Sequence, residues 1–323
     1  MLTVLVPLDG SPRAECAIPF ALSVARRIGA GVELISVHDT PAPALGLSGE
    51  LPHDGPRDQR RALRQQYLDA TRRRLEAIDV VPVTTSLIDG APAETLVAYV
   101  RETAPDLVVM TTHGRGGVRR LWLGSVTESL VRHVAVPVLA IPPTAGIPVG
   151  SEPRAIRRAL VAVDGSPESE AVIAPLAALL GTAGLAYTLL RVVPPLHPLV
   201  RTVATAVEYG RDLGTEQRLA NEYLQALAER LRPRGLDVSV ATRSEEPPAA
   251  AIIASAAAVR ADVIALATHA RGPIGRLVHG SVADAVLRTA PVAVLLYHMP
   301  QHVGREDAYA MRHAPEVVCV CPV

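Results

Sequence analysis

Apolar runs rich in Val, Ile and Leu alternate, along the first 145 residues, with segments whose apolar positions recur at helical spacing. The short continuous runs predict buried strands, and the three-to-four-residue periodicity predicts amphipathic helices. Strands are expected near Thr3–Leu8, Val32–Val37, Val83–Leu87, Leu107–Met110 and Val138–Ile141, with helices near Pro12–Ile28, Pro56–Ile78, Ala93–Thr103 and Val126–Val134. The order β-α-β-α-β-α-β-α-β is that of a parallel sheet with helices on both faces. Ser11 before Pro12 reads as a helix N-cap with proline at the first helical position, and Ser166 before Pro167 repeats it.

The chain contains itself twice. Asp9-Gly10-Ser11-Pro12 recurs as Asp164-Gly165-Ser166-Pro167, Thr112-His113 as Thr268-His269, and Gly124-Ser125-Val126 as Gly280-Ser281-Val282, at offsets of 155 to 156 residues. That period is a whole domain, far beyond the roughly 20–50 residues of solenoid repeats. The expected division is a first domain over residues 1–145, a Pro- and Gly-rich linker over 146–156, a second domain over 157–297 and a tail over 298–323. A helix is expected near Thr215–Arg232 in the second domain. Ala171 to Leu190 runs without a charge and is long enough to span a membrane. Pro175, Gly181 and Gly184 divide it instead into a helix, a turn and a β-prone stretch from Tyr187 to Val193.

Composition then narrows the chemistry. All 32 basic residues are Arg, balancing 32 acidic ones, so enzymes that need a Walker-type or Schiff-base lysine are excluded. The zero net charge argues against a general nucleic-acid or anionic-membrane surface. Three cysteines cannot build a disulfide framework, and the start MLTVLVPLDGS lacks the features of a signal peptide, so a cytoplasmic protein is expected.

In an open α/β sheet, ligands collect beyond the carboxyl ends of the strands, where the strand order reverses. Two segments arrive there: Asp9-Gly10-Ser11, and Thr111-Thr112-His113-Gly114-Arg115-Gly116-Gly117 closing through Gly124-Ser125 onto a helix. Small residues let backbone N–H groups approach phosphate oxygens, and the following helix adds its positive dipole end. Arg115 is a candidate phosphate partner, with Arg119 and Arg120 behind it. A plainer reading stands beside this one, in which Ser125-Val126-Thr127-Glu128 is a capping box and Gly124 serves the turn. Asp9 likewise reads either as a ligand contact or as a carboxylate that stabilises its turn. His113 has no nucleophile beside it in sequence and reads better as a loop residue offering its backbone N–H than as a general base.

These motifs resemble the universal stress protein family, whose nucleotide-binding members carry G-x2-G-x9-G-[S/T] after strand four and an Asp after strand one. In the first half Gly114, Gly124 and Ser125 match, and Thr111 replaces the first glycine. In the second half Gly280 and Ser281 match, but Ala267 and Ala270 replace both early glycines. The resemblance implies two tandem doubly wound α/β domains, each a five-stranded parallel sheet of order 3-2-1-4-5 in the adenine nucleotide alpha hydrolase-like manner. It also implies dimer-like pairing through the last strands, so that the halves form an intrachain pseudo-dimer, with a homodimer of chains left open. The ligand it implies is ATP or a related adenine nucleotide, with or without Mg2+. By position, Pro7, Asp9, Val37 and Met110 fall near the adenosine, and Thr111, Thr112, His113, Gly114, Arg115, Gly124, Ser125 and Val126 form the phosphate loop. In the second half Asp164, Val192, Thr268, His269, Gly280, Ser281 and Val282 correspond. Glu245 and Glu246 replace a glycine turn and would repel phosphates if they face them.

The function expected is a regulatory nucleotide-binding module without an efficient catalytic site. The rivals are a nucleotide-free interaction scaffold and a slow ATPase or autophosphorylating protein with Ser125 or Thr127 as acceptor. The segments from His38 to Gly55 and after Val193 are candidate lids. The tail's His298, His302, His313, Cys319 and Cys321 lack typical zinc spacing, and residues 317–321 read as an apolar strand or docking segment. Cys16 reads as a small core residue.

Overall fold

The computed structural model describes residues 1–39, 56–112, 124–142, 155–182, 184–193, 206–245, 247–268 and 281–298. The first half runs β1 (Thr3–Pro7), α1 (Pro12–Glu15), α2 (Ile18–Ile28), β2 (Gly31–His38), α3 (Pro56–Glu76), β3 (Val83–Asp89), α4 (Pro92–Thr103), β4 (Leu107–Thr111), α5 (Ser125–His133) and β5 (Val138–Ile141). The second runs β6 (Arg158–Ala162), α6 (Pro167–Glu170), α7 (Ile173–Leu180), β7 (Ala186–Val192), α8 (Ala206–Leu231), a 3-10 turn, β8 (Asp237–Arg243), α9 (Pro248–Ala258), β9 (Val263–Thr268), α10 (Ser281–Thr289) and β10 (Ala293–His298). Each half is a parallel sheet of order 3-2-1-4-5. The two join through antiparallel β5 and β10 into one ten-stranded sheet.

That junction explains how two exposed sheet edges are retired at once. Leu295 pairs with Leu139, flanked by Val294 with Ala140 and Leu296 with Val138. Leu139 and Leu295 are separated by the repeat offset itself, so the pseudo-twofold axis passes between them. Because the sheet is continuous, its cores are continuous as well. On one face α2, α3, α7 and α8 cover Val4, Val6, Val109, Leu139, Val161 and Leu295. On the other face α4, α5, α9 and α10 cover Leu5, Val108, Ala140, Leu160, Ile264 and Val294. Alternate residues of each strand face opposite layers, the period-two rule at work in a doubly covered sheet.

The anticipated single helix over Pro12–Ile28 is two helices, broken at Cys16 and Ala17. Pro19 has no N–H to donate to the Glu15 carbonyl, and its ring clashes there. Pro175 divides α6 from α7 in the same way relative to Ala171. Cys16 therefore sits half-buried at the break, its Sγ 3.4 Å from the Pro12 carbonyl oxygen, rather than in the core. Burial and the neighbouring Glu15 push its thiol pKa up, so it is a poor nucleophile. The N-caps are as expected: Ser11 accepts from the Ala14 N–H and Ser166 from the Ser169 N–H, each at 3.2 Å. The uncharged stretch from Ala171 to Leu190 is indeed helix, turn and strand. Among the described residues no helix is long and apolar enough to cross a membrane. Helix α8 begins at Ala206, well before the expected start, and residues 146–154 and 299–323 lie outside the described residues.

A second duplicated constellation locks α1 to α3 and α6 to α8. Tyr67 donates to Glu15 at 2.9 Å and Arg74 reaches the same carboxylate at 2.7 Å. In the second half Tyr223 donates to Glu170 at 2.8 Å, and Arg230 pairs with Glu170. Burial, then the glutamate, push both phenol pKa values well above the ordinary 10. Burial does the same to Tyr187, against a smaller opposing effect of Arg27. A proton held more tightly in the folded state stabilises below the ordinary tyrosine pKa and ceases to do so as pH rises beyond it. In an alkaline absorbance titration of the seven tyrosines, these three are expected to ionise only as the fold is lost. Ionisation of all seven near pH 10 with the far-ultraviolet dichroism intact would contradict this.

Candidate functional site

The strand order turns back between β1 and β4, and the carboxyl ends of these strands open the crevice there. Val4 pairs with Leu107 and Leu5 with Val108, a register that brings Pro7 level with Met110. Pro7 also pairs with Ile35, two residues before Val37. Val37 and Met110 belong to the core layer of α4 and α5, 7% and 6% exposed, and alternation turns Pro7 to that same face. Three apolar residues from separate strands thus converge on one wall of the crevice.

Asp9 stands at the tip of β1, half-buried, and its Oδ1 accepts the Ser11 N–H at 2.9 Å. Gly10 between them has φ 78°, a conformation that favours glycine. The carboxylate therefore does stabilise its turn. Asp164 makes the same bond to the Ser166 N–H at 2.9 Å and also accepts the Ser166 hydroxyl at 2.5 Å. Asp9→Asn retains an oxygen acceptor for Ser11 and is expected to keep the melting temperature within a few degrees, whereas Asp9→Ala should cost about 1 kcal/mol in urea unfolding.

On the β4 side, the capping-box reading fails. Helix α5 begins at Ser125 with Gly124 as N-cap: the Gly124 carbonyl accepts the Glu128 N–H at 2.9 Å, and no side chain caps the helix. Glu128 instead pairs with Arg132 one turn on, at 2.6 Å. Ser125 is consequently an exposed first-turn residue whose hydroxyl is not a cap, followed by half-buried Val126. Gly124 has φ −63°, so its backbone needs no glycine. What requires glycine is space, since a Cβ there would stand 3.2 Å from the Thr112 carbonyl oxygen, which already accepts the Gly124 N–H at 2.9 Å. Thr111 and Thr112 are both buried, and the buried Thr127 hydroxyl donates to the Thr111 carbonyl at 3.2 Å. This bond ties the first turn of α5 to the end of β4.

The second half departs from this arrangement. Ala283 replaces Thr127 on α10, so the hydroxyl tie to the end of the strand is missing. Thr268 lies 3.2 Å from Nδ1 of His298, at the end of β10. Ser281 is exposed at the start of α10, with Val282 half-buried behind it, and Val192 ends β7. Glu245, exposed after β8, stands well away from the end of β9: β7 and β6 lie between β8 and β9, so three strand spacings of about 4.8 Å set them roughly 14 Å apart. His113, Gly114, Arg115, Arg119, Arg120, Glu246, His269, Ala270, Gly280 and both candidate lids over 40–55 and 194–205 lie outside the described residues.

Comparison with known proteins fits this geometry. The model of the universal stress protein family matches residues 1–142 and again 155–298. The chain belongs to the universal stress protein family, as a tandem member with two copies of the fold. A universal stress protein of Mycobacterium tuberculosis is 27% identical over 93% of this chain and 96% of its own length. One from Methanocaldococcus jannaschii is 30% identical over 43% of this chain and 80% of its own. The crystal structure of a universal stress protein from Archaeoglobus fulgidus superposes with a TM-score of 0.62 at 17% identity, covering 92% of this chain and 98% of that one, a likeness of fold.

Sequence reasoning missed His38, Arg60, Arg64 and Arg191, which gather beside the Asp-Gly-Ser turns on the opposite face of the sheet. The spacing of Arg60, Arg64 and Tyr67 at i, i+4 and i+7 was a legible signal that all three share one stripe of α3.

Proposed function

We propose that this protein binds an adenine nucleotide, ATP, at the switch point of its first half as a regulatory ligand in the cytoplasm, and is a binding module rather than a catalyst. In this reading residues 1–145 and 157–297 act as its two units, joined by 146–156. The observation that carries it is the uncapped N-terminus of α5 beside the turn of Asp9, with the apolar wall of Pro7, Val37 and Met110 between strands. A helix N-terminus without a side-chain cap presents unsatisfied N–H groups and a positive dipole end, both suited to phosphate oxygens. The apolar wall suits a purine face, and the Asp9 carboxylate suits a ribose hydroxyl. Thr112, Gly124, Ser125 and Val126, with Thr111, His113, Gly114 and Arg115, are the phosphate-binding set. A Mg2+ ion would arrive with the nucleotide, bound through its phosphates.

The second half is the weaker site. Ala283 leaves the end of β9 without the tie that Thr127 supplies to β4. The test is calorimetric titration of the full chain with ATP and magnesium, in wild type, Asp9→Asn, Ser125→Glu and Ser281→Glu. Binding near one equivalent, weakened by the first two substitutions and unmoved by the third, is the expected result. Absence of binding at millimolar ATP would sink the proposal.

A further inference from the structure

The internal repeat supplies its own control for a feature on the α3 side of the sheet. In the first half a cavity of about 500 Å³ opens at the carboxyl ends of β1 and β2, lined by Gly10, His38, Asp39, Arg60, Arg64 and Tyr67. His38 is only 4% exposed, and its Nε2 has no hydrogen-bond partner. A buried imidazole nitrogen left unpaired carries a desolvation cost that native folds seldom leave unrelieved. Arg64 also approaches Ser36 at 3.3 Å, whose hydroxyl donates to the Leu8 carbonyl at 2.7 Å.

The second half fills the corresponding space with itself. Arg191 stands where the first half has Ser36, since β7 pairs with β6 as β2 pairs with β1. Its guanidinium lies 5.3 Å from the ring centroid of Tyr223, the counterpart of Tyr67. It also lies against Gly165, where a Cβ would come within 3.0 Å of its Cζ. Ala220, fully buried, takes the place of Arg64. One half therefore carries a strand arginine over a small helix residue, and the other a small strand residue beneath a helix arginine with a cavity between.

We propose that this first-half cavity binds the phosphoryl group of a small phosphate monoester, as a site separate from the nucleotide crevice across the sheet. Arg60 and Arg64 stand one turn apart on α3 with His38 facing them from β2, so donors arrive from more than one direction. That spread suits the three oxygens of a phosphate monoester better than the two coplanar oxygens of a carboxylate. Asp39, exposed at the rim, offsets part of the positive charge. The cavity is larger than inorganic phosphate requires and falls within the usual range for small-ligand sites. The phosphoryl group can therefore belong to a free ion or to a small organic ester, and the test separates the two.

The test titrates the full chain by calorimetry with inorganic phosphate and, in a second arm, with ribose 5-phosphate. The key variant is the double substitution Ser36→Arg with Arg64→Ala, which copies the pair the second half already folds with. Arg60→Ala, at an exposed position, is the variant expected to leave the fold intact. Wild type is expected to bind one equivalent of ribose 5-phosphate, more tightly than inorganic phosphate. The double variant should lose at least about tenfold in affinity for both, and Arg60→Ala should lose about threefold with an unchanged melting temperature. Equal affinity for both ligands would assign the site to free phosphate. Binding unchanged in both variants, no binding of either ligand at millimolar concentration, or displacement of either by ATP would overturn the proposal. The first two outcomes leave the nucleotide reading untouched, and a failure of ATP to bind leaves this one untouched.

Discussion

Leu295→Asp is expected to remove the cooperative unfolding transition of the chain or leave it insoluble. Leu295 and Leu139 face each other across the antiparallel junction, each 2% exposed, in the core layer they share with α2 and α7. A carboxylate there would be stripped of water inside an apolar layer, a cost that exceeds the stability of most domains. Leu139→Asp should behave identically, since the two positions are symmetry mates. Leu295→Ala removes volume without adding charge and is expected to cost about 2–5 kcal/mol in urea unfolding, with the sharp transition retained. An aspartate variant that stays soluble and melts within a few degrees of wild type would show that the two halves do not join through β5 and β10.

Ser125→Glu should separate binding from folding more cleanly than a glycine substitution. Gly124→Glu would push a Cβ against the Thr112 carbonyl, so lost binding there could mean only a displaced loop. Ser125 is exposed at the first turn of α5. An acidic side chain there stabilises the helix by a few tenths of a kcal/mol through the dipole. The same charge competes with phosphate oxygens for the same N–H groups and repels them. ATP affinity is expected to fall about a hundredfold while the melting temperature holds or rises slightly. Unchanged ATP affinity would exclude the start of α5 as the phosphate site.

The repeat, the strand and helix order and the doubly covered sheet were all legible in the sequence, because each rests on local patterning. A buried parallel strand must be apolar on both faces, and a helix must carry its stripe at 3.6 spacing, whatever lies beyond it. Asp9 was legible as a candidate for a related reason, since it follows a strand end and strand ends are where ligands gather in this architecture; Pro7, Val37 and Met110 followed only from the family resemblance.

Tertiary structure decided what depends on groups far apart in the chain. The start of α5 was a local exception: Ser125 looked like a cap, but the Glu128 N–H bonds the Gly124 carbonyl and makes Gly124 the N-cap. The Thr127 hydroxyl, one of a run of polar residues in the sequence, proved to be a tie from α5 to the Thr111 carbonyl at the end of β4. Glu245 looked hostile to phosphate until the strand order set two strands between it and β9. His38, Arg60 and Arg64 looked unrelated until β2 and α3 brought them to one cavity, which Arg191 fills in the other half. Periodicity tells which way a residue points, and that much was written in the sequence. What meets it there, and whether the space between is filled or open, depends on side chains brought together from distant segments and was set only when the sheet closed over its helices.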